Sequence, residues 1–283
     1  MGDTEGPHEV AYVLGGGGVL GAHEVGMLRA LADSSIVPDL ILGTSVGAIN
    51  GALFAADPTV AGVRHLSELW RQSSFSELTA GGLLRRVTTL ARTGTHLQSL
   101  QEARERLRRT LPVERVEDLQ VPFQCVAASI ERAAEHWFAT GVLADVVLAS
   151  CAVPGILAPV KIGDEHFIDG GIVNSIPVAR AVALGARTIY VLQVGRLEKP
   201  LAPPRWPWEV GLVAFEIARR HRFAHDLQSL PAGVQLHVLP TGGSAAPAYN
   251  DVSGQLRYRR IARTVQQQID SSYHASLRYL QER

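Results

Sequence analysis

Two short strand-like segments near the N-terminus, each ending in a glycine-containing turn, constrain the fold of this chain most strongly. Glu9–Leu14 is a short β-type segment, and Leu40–Leu42 has the continuous apolar character of a strand covered on both faces. Apolar residues recur at helical spacing over Gly21–Ser34, and a second helix of small residues is predicted to end near Ala56. This order predicts parallel strands joined by a right-handed crossover, so both turns lie at the same carboxyl edge of the sheet.

The remainder of the chain continues the alternation of strands and helices. Helices are predicted at Thr59–Trp70, Leu97–Leu111, Val142–Cys151, Val178–Leu184 and Ser253–Gln281. Strands are predicted at Phe123–Ile130, Glu135–Thr140, His166–Ile168, Thr188–Val194 and His237–Leu239. Ser73–His96 is expected to form an irregular cap or lid, and Leu201–Trp208 a Pro/Trp loop. The pattern predicts an α/β fold with a mostly parallel central sheet between helices.

Composition excludes several functional classes. The 27 basic residues are balanced by 27 acidic ones, whereas a nucleic-acid-binding protein normally carries a basic excess, so no nucleic-acid partner is expected. Two cysteines do not make a disulfide scaffold, and the acidic N-terminal segment does not resemble a signal peptide. Two uncharged and largely apolar segments, Leu40–Ala56 and Val146–Val160, are shorter than the ~20 residues of a membrane-spanning helix. We therefore expect a cytoplasmic protein, with peripheral membrane contact as a further expectation.

The segment Gly43-Thr-Ser45-Val-Gly47 matches the G-x-S-x-G pattern of a nucleophile elbow. It lies between a short apolar strand and a helix, where such an elbow must lie. Glycines on both sides allow a sharp turn that projects the serine hydroxyl at the edge of the sheet. A plain tight turn is the alternative interpretation, but the context favours Ser45 as a nucleophile.

The glycine-rich segment from Gly15 to Gly21 follows the first strand and has three possible roles. Its successive backbone N–H groups suit an oxyanion hole formed by Gly16, Gly17 and Gly18. It also formally matches the dinucleotide-binding fingerprint, which requires an acidic residue at the end of the next strand. Asp39 precedes that strand instead, which makes nucleotide binding the weaker interpretation. A purely structural turn is the third and also weaker alternative.

Asp169 ends a predicted strand and is followed by Gly170 and Gly171. Asp-Gly is a strong turn signal, so a simple turn is one interpretation. Beside a candidate serine nucleophile, the same carboxylate is a natural base. A Ser–Asp–His triad is the competing arrangement, and four histidines follow Asp169 in the chain: His221, His225, His237 and His274. None lies in a distinctive loop, and the early position of Ser45 favours a Ser–Asp dyad.

Taken in this order, G-G-G-x-x-G, G-T-S-V-G and D-G-G resemble the patatin-like phospholipase family, and the resemblance spans about Val10 to Val194. It implies a three-layer α/β fold, with a patatin-like catalytic core at 9–195 and a C-terminal part, 196–283, packed on it as a single structural domain. Members of the family often carry a basic residue before the last glycine of the first motif. Here that residue is Leu20.

The resemblance also implies a function and a set of site residues. The chain would be a serine hydrolase acting on lipid acyl esters, with Ser45 as nucleophile, Asp169 as general base and no cofactor or metal. Oxyanion donors would come from Gly16, Gly17 and Gly18, and supporting roles fall to Gly21, Gly43, Gly47, Gly170 and Gly171. A general esterase or thioesterase is the alternative on the same dyad. Alternatives from other classes are a nucleotide-binding protein and a non-catalytic lipid-binding module.

Overall fold

A computed structural model of the protein describes residues 9–72, 99–194, 200–204, 207–242 and 265–283. Its strands are β1 (Val10–Leu14), β2 (Leu40–Thr44), β3 (Phe123–Ser129), β4 (Ala134–Phe138), β5 (Val160–Ile162), β6 (Glu165–Asp169), β7 (Thr188–Leu192) and β8 (Gln235–Val238). Its α-helices are α1 (Ala22–Asp33), α2 (Val46–Ala56), α3 (Val60–Arg71), α4 (Leu100–Thr110), α5 (Leu143–Ser150), α6 (Gly171–Asn174), α7 (Val178–Ala183), α8 (Pro207–Gln228) and α9 (Val265–Gln281). Short 3₁₀ turns occupy Gly18–Gly21 and Val116–Asp118.

The strands form one mixed sheet. Five of them lie side by side in the order β3-β2-β1-β7-β8, and every pair in this series is parallel. β4 and β6 are both antiparallel to β3, and β5 is antiparallel to β6. The predicted mostly parallel sheet is therefore confirmed, and the carboxyl ends of β1 and β2 lie side by side, with Leu14 opposite Gly43.

Helices cover both faces of the sheet, because side chains of each strand alternate between two apolar cores. Tyr12 and Leu14 of β1 belong to the larger core, which includes residues of α1 to α5 and α9. Ala11 and Val13 belong to the smaller core, with residues of α7 and with Phe223 of α8. The fold thus has the three layers expected from the sequence. Helix α9 packs on α1, and β8 is part of the same sheet as β1.

The structure differs from the sequence-based predictions at several places. β5 was not expected, because a three-residue strand paired with a single neighbour has too short a pattern to recognise. The predicted loop Leu201–Trp208 is interrupted at Pro207, where α8 begins, and proline is well suited to the first turn of a helix. Ser73–His96 lies outside the described residues, and the predicted helix Ser253–Gln281 is described from Val265 onward. Among the helices that the structure describes, none is both long enough and apolar enough to cross a bilayer.

Candidate active site

Ser45 lies at the sharp turn between β2 and α2. Its φ of 55° and ψ of −122° are unusual for a residue with a side chain, and backbone strain of this kind is concentrated at functional sites. Gly47 makes the turn possible, because a Cβ at this position would lie 2.3 Å from the carbonyl oxygen of Leu14. The helix can therefore start directly against the end of β1. This is the local geometry of a nucleophile elbow.

Two strands that end against the same neighbour bring Ser45 and Asp169 together. β2 is parallel to β3, and its last residue, Thr44, pairs with Val126. β6 is antiparallel to β3, and its last residue, Asp169, pairs with the adjacent Ala127. Because β4 occupies the opposite side of β3, β2 and β6 lie on the same side and meet end to end. The residue that follows Thr44 is then next to Asp169.

The two side chains are hydrogen-bonded. Ser45 Oγ donates to Asp169 Oδ2 at 2.7 Å, and the other carboxylate oxygen, Oδ1, accepts a 2.7 Å hydrogen bond from the N–H of Gly171. Asp169 is only 4% exposed. Burial raises the pKa of Asp169 to about 6, although the hydrogen bonds from Ser45 and Gly171 oppose this shift. A carboxylate with a pKa near 6 is a stronger base than an ordinary aspartate and is still mostly ionised at pH 7.

Neighbouring residues also fix the backbone of Ser45, and sequence reasoning did not identify them. The N–H of Ser45 donates to Ser150 Oγ at 2.9 Å, and Cys151 Sγ donates to the carbonyl oxygen of Ser45 at 3.0 Å. Both residues come at the C-terminal end of α5. Neither residue stands in one of the three motifs, so the sequence carries no signal for these contacts.

The glycine-rich loop runs alongside Ser45. A Cβ built on Gly16 would lie 3.6 Å from the Cβ of Ser45. The Gly16 N–H, however, donates to the carbonyl oxygen of Ser175 at 3.0 Å, so its expected role as an oxyanion donor needs correction. Gly17 and Gly18 come next in the chain, and Gly18 has a φ of +56° at the start of the 3₁₀ turn. Their amides are the candidates that remain from the three predicted donors.

The other motif glycines lie at points of close approach. A Cβ on Gly21 would be 2.5 Å from Val46 Cγ2, one on Gly43 would be 2.6 Å from Ala48 Cα, and one on Gly170 would be 2.1 Å from the carbonyl oxygen of Val126. These contacts explain why the three motifs contain glycine around the site. Leu20, at the position where the family often has a basic residue, lies in the 3₁₀ turn and its N–H donates to the carbonyl oxygen of Gly17.

No histidine completes a triad among the residues that the structure describes. The hydrogen-bond partners of the Asp169 carboxylate are Ser45 and Gly171. His221 and His225 are exposed on α8, and His237 stacks on Tyr190 with ring centroids 4.8 Å apart. The ring of His274, on α9, contacts the neighbouring Tyr273.

The structure also bears on nucleotide binding and on metals. Asp39 accepts hydrogen bonds from the N–H groups of Glu9 and Val10 at the start of β1, at the opposite edge of the sheet from Ser45. It is therefore far from the position where an acidic residue would bind a ribose.

In the described ranges, no group of three or more His, Cys, Asp and Glu side chains is arranged to hold a metal ion.

Comparisons with known proteins agree with the motifs. Residues 12–182 match the family model described as patatin-like phospholipase. The patatin-like phospholipase domain-containing protein 7 of Rattus norvegicus is 31% identical over 188 residues, which are 66% of this chain and 14% of that protein. Lysophospholipase NTE1 of Phaeosphaeria nodorum is 30% identical over 190 residues, 67% of this chain and 12% of that protein. The chain thus covers only 12–14% of the length of these relatives.

Among solved structures, VipD from Legionella pneumophila is similar with a TM-score of 0.47 and 13% identity, over 98% of this chain and 67% of that one.

Proposed function

Because the chain belongs to the patatin-like phospholipase family, we propose that it is a serine hydrolase that cleaves the acyl esters of lipids, of the phospholipase A or lysophospholipase type. The observation that carries the proposal is the 2.7 Å hydrogen bond from Ser45 Oγ to Asp169 Oδ2 at the nucleophile elbow. One relative is named lysophospholipase NTE1, and this name supports a lipid substrate. A general esterase or thioesterase would use the same two residues.

The proposed reaction begins with the ionised Asp169. Its carboxylate accepts the hydroxyl proton as Ser45 Oγ attacks the ester carbonyl carbon, because a neutral serine is a weak nucleophile. The carbonyl oxygen becomes an oxyanion, and the N–H groups of Gly17 and Gly18 stabilise it. The tetrahedral intermediate then collapses, the bond to the alcohol oxygen breaks, and Asp169 returns its proton to that oxygen. The products of this half-reaction are the free alcohol and acyl-Ser45.

Hydrolysis of acyl-Ser45 repeats these steps with water as the nucleophile. Asp169 takes a proton from the water as its oxygen attacks the acyl carbon, and the same glycine amides bind the second oxyanion. The Ser45–acyl bond breaks, the proton returns to Ser45 Oγ, and the fatty acid leaves. Burial of Asp169 serves both halves of the cycle, because a raised pKa allows one group to accept and return a proton near neutral pH.

We also propose that the protein contacts the membrane surface from the cytoplasm. Val210 and Ile217 are each 54% exposed and are seven residues apart on α8, so they share one face of the helix. Phe215 of the same helix would contact a Cβ on Gly171 at 3.0 Å, which places α8 beside the Asp169 turn. Ile172, 39% exposed, adds to the apolar surface.

The sequence also predicts Trp206 and Trp208 as candidates for the membrane contact, because tryptophan favours membrane–water boundaries. Trp206 and the side chain of Trp208 lie outside the described residues.

The two free cysteines support the cytoplasmic location, because free thiols are in keeping with a reducing compartment.

A fluorophosphonate reagent tests the proposal, since it labels only an activated serine. Wild-type protein should be labelled at Ser45, whereas Ser45→Ala and Asp169→Asn should not be labelled at a comparable rate. Hydrolysis of phospholipids, lysophospholipids and p-nitrophenyl esters of graded chain length then separates a lipid acyl hydrolase from a general esterase. A folded wild-type protein that binds vesicles but takes up no label would instead be a non-catalytic lipid-binding module.

A further inference from the structure

Arg219 of α8 is a buried cation directly behind the glycine-rich loop. It lies outside residues 12–182, the part of the chain that matches the family model, and it is 6% exposed. Its guanidinium makes three kinds of contact. Nη1 donates to both carboxylate oxygens of Glu216, at 3.1 and 3.2 Å, Nε donates to Ser175 Oγ at 3.1 Å, and Nη2 donates to Gln193 Oε1 at 3.4 Å.

Both neutral partners of Arg219 lie next to the backbone of the loop. The carbonyl oxygen of Ser175 accepts the N–H of Gly16 at 3.0 Å, and Ser175 Oγ would be 3.2 Å from a Cβ on Gly16. Gln193 immediately follows Leu192, whose carbonyl oxygen accepts the N–H of Gly15 at 2.9 Å. The guanidinium therefore spans the two chain segments that hold the first two glycines of the loop.

Arg219 forms an ion pair with a buried carboxylate, and the geometry of its donors is what distinguishes it from other side chains. Glu216 is 1% exposed and forms an ion pair with Arg219 and also with Arg220, whose Nε lies 2.9 Å from Glu216 Oε1. A buried ion pair contributes little stability compared with apolar residues of similar volume. What a guanidinium adds is a planar set of donors at fixed angles, which an apolar side chain or a lysine cannot supply.

We infer that Arg219 is a positioning residue for the oxyanion loop. By fixing Ser175 and Gln193, it holds Gly15 and Gly16 against the sheet, so that the amides of Gly17 and Gly18 face the oxygen of the reacting ester. The inference rests on the proposed function. Helix α8 thereby contributes a residue that supports catalysis. Leu20 has no polar side chain to anchor the loop, and Arg219 provides an anchor from the C-terminal part of the chain.

The test compares Arg219→Met and Arg219→Lys with wild type on p-nitrophenyl butyrate, a short soluble ester. We expect kcat to fall by about 10- to 100-fold with KM within about threefold, because misplaced donors weaken transition-state stabilisation more than ground-state binding. Lysine should not restore kcat, since it keeps the charge and loses the planar donors. Arg104→Met is the matched control: it removes a 2.7 Å ion pair with Asp145, in the first turn of α5, and should leave kcat within about twofold.

Ser175→Ala keeps the inference testable if Arg219 variants fold poorly, because it removes only the hydroxyl that Arg219 binds. We expect Ser175→Ala to lower kcat less than Arg219→Met does. Arg219→Met should also have a smaller effect in the Ser175→Ala background than in wild type, since both substitutions remove the same hydrogen bond. Circular dichroism and Tm establish folding. Folded Arg219→Met or Ser175→Ala proteins with wild-type kcat, beside an active wild type, would overturn the inference alone. A wild type without esterase activity or fluorophosphonate labelling would overturn the proposed function as well.

Discussion

Ser45 Oγ lies 2.7 Å from Asp169 Oδ2, and this carboxylate oxygen belongs to a group that is almost completely shielded from water. The arrangement pairs a hydroxyl that must lose a proton with a carboxylate that burial has made more basic.

Replacing the proposed base should abolish most of the activity. Asp169→Asn preserves the shape of the side chain and removes its ability to accept the proton of Ser45, so kcat for a p-nitrophenyl ester should fall by about 10²- to 10⁴-fold. Ser45→Ala should be at least as severe. Steady-state kinetics on folded variants measure both effects.

Single alanine substitutions at His221, His225, His237 and His274 provide the contrast. Each should leave most of the activity intact, because the Asp169 carboxylate contacts Ser45 and Gly171 and no histidine in the described part of the chain. A histidine as essential as Ser45 in a well-folded variant would mean that the site is a triad and that the dyad is wrong.

The pH dependence of kcat/KM should report the titration of Asp169. Only the ionised carboxylate can act as a base, so activity should rise about tenfold per pH unit below the pKa of about 6 and level off above it. Initial rates with a short soluble ester between pH 4.5 and 8.5 measure this profile. An acidic limb with a midpoint near 4, the ordinary value for aspartate, would show that burial does not tune this group.

The same raised pKa predicts that Asp169 destabilises the fold when ionised. Its folded-state pKa of about 6 exceeds its ordinary value of 3.8, so the folded protein binds the proton more tightly than the unfolded chain does. The contribution of this group to stability is therefore present below about pH 4 and is lost as pH rises to about 6. At pH 8 the cost is about 3 kcal/mol, from 1.36 kcal/mol per pKa unit.

Asp169→Asn should consequently raise the Tm at pH 8 by several degrees while abolishing activity. The difference in Tm between this variant and wild type should shrink as the pH is lowered from 8 to 4.5, because wild-type Asp169 becomes protonated over that interval. Thermal unfolding of both proteins at four or five pH values measures it. A variant less stable than wild type at pH 8 would contradict the predicted cost of burying the charge.

The glycine-rich loop is best tested at Gly18. A Cβ at Gly17 would lie 1.8 Å from Val194 Cγ2, so Gly17→Ala would disturb packing as well as the loop. Gly18 has no neighbour within 4 Å of a built Cβ, but its φ of +56° is strained for alanine. Gly18→Ala should lower kcat by about 10²-fold, as expected when one oxyanion donor is misdirected.

Gly163→Ala is a matched control for Gly18→Ala. Gly163 has a φ of +61° in the turn between β5 and β6, also with nothing within 4 Å of a built Cβ. Both substitutions should cost about 1 kcal/mol of stability, but Gly163→Ala should leave kcat unchanged. Equal activity of the two variants would indicate that the loop containing Gly18 is only a structural turn.

The exposed apolar face of α8 should matter only for aggregated substrates. Burying one isoleucine is worth about 1.5–3 kcal/mol, so Ile217→Ser should weaken vesicle binding and vesicle hydrolysis by roughly tenfold or more. Hydrolysis of a short soluble ester should be unaffected. Val37→Ser removes a side chain that is 61% exposed just before β2, at the opposite edge of the sheet from Ser45, and should change neither rate. Equal losses on both substrates for Ile217→Ser would contradict membrane contact through this face.

The elements around Ser45 and Asp169 could be predicted from sequence because their signals are local. A short apolar strand followed by G-x-S-x-G specifies an elbow within ten residues, and the order of strands and helices then places both turns at one edge of the sheet. The three-layer α/β fold follows from the same alternation.

Other parts of the site depend on contacts between segments that are distant in sequence. Ser150 binds the backbone of Ser45 from 105 positions away, and Arg219 reaches Ser175 from 44 positions away. Neither residue stands in a motif with a chemical signature. A series of glycines offers several backbone N–H groups, so the sequence predicts an oxyanion role for Gly16 as well. It does not reveal that the Gly16 N–H donates to the carbonyl oxygen of Ser175.

The pairing of β2 and β6 with consecutive residues of β3 has a consequence for the evolution of this site. Nucleophile and base are 124 positions apart in the chain, yet the distance between them depends on backbone hydrogen bonds to one strand and not on the length of the intervening polypeptide. Loops in that interval can therefore lengthen or shorten, and substrate preference can change with them, while the two reacting groups stay in place. A single residue inserted within β6 would instead turn Asp169 to the opposite face of the sheet and separate it from Ser45.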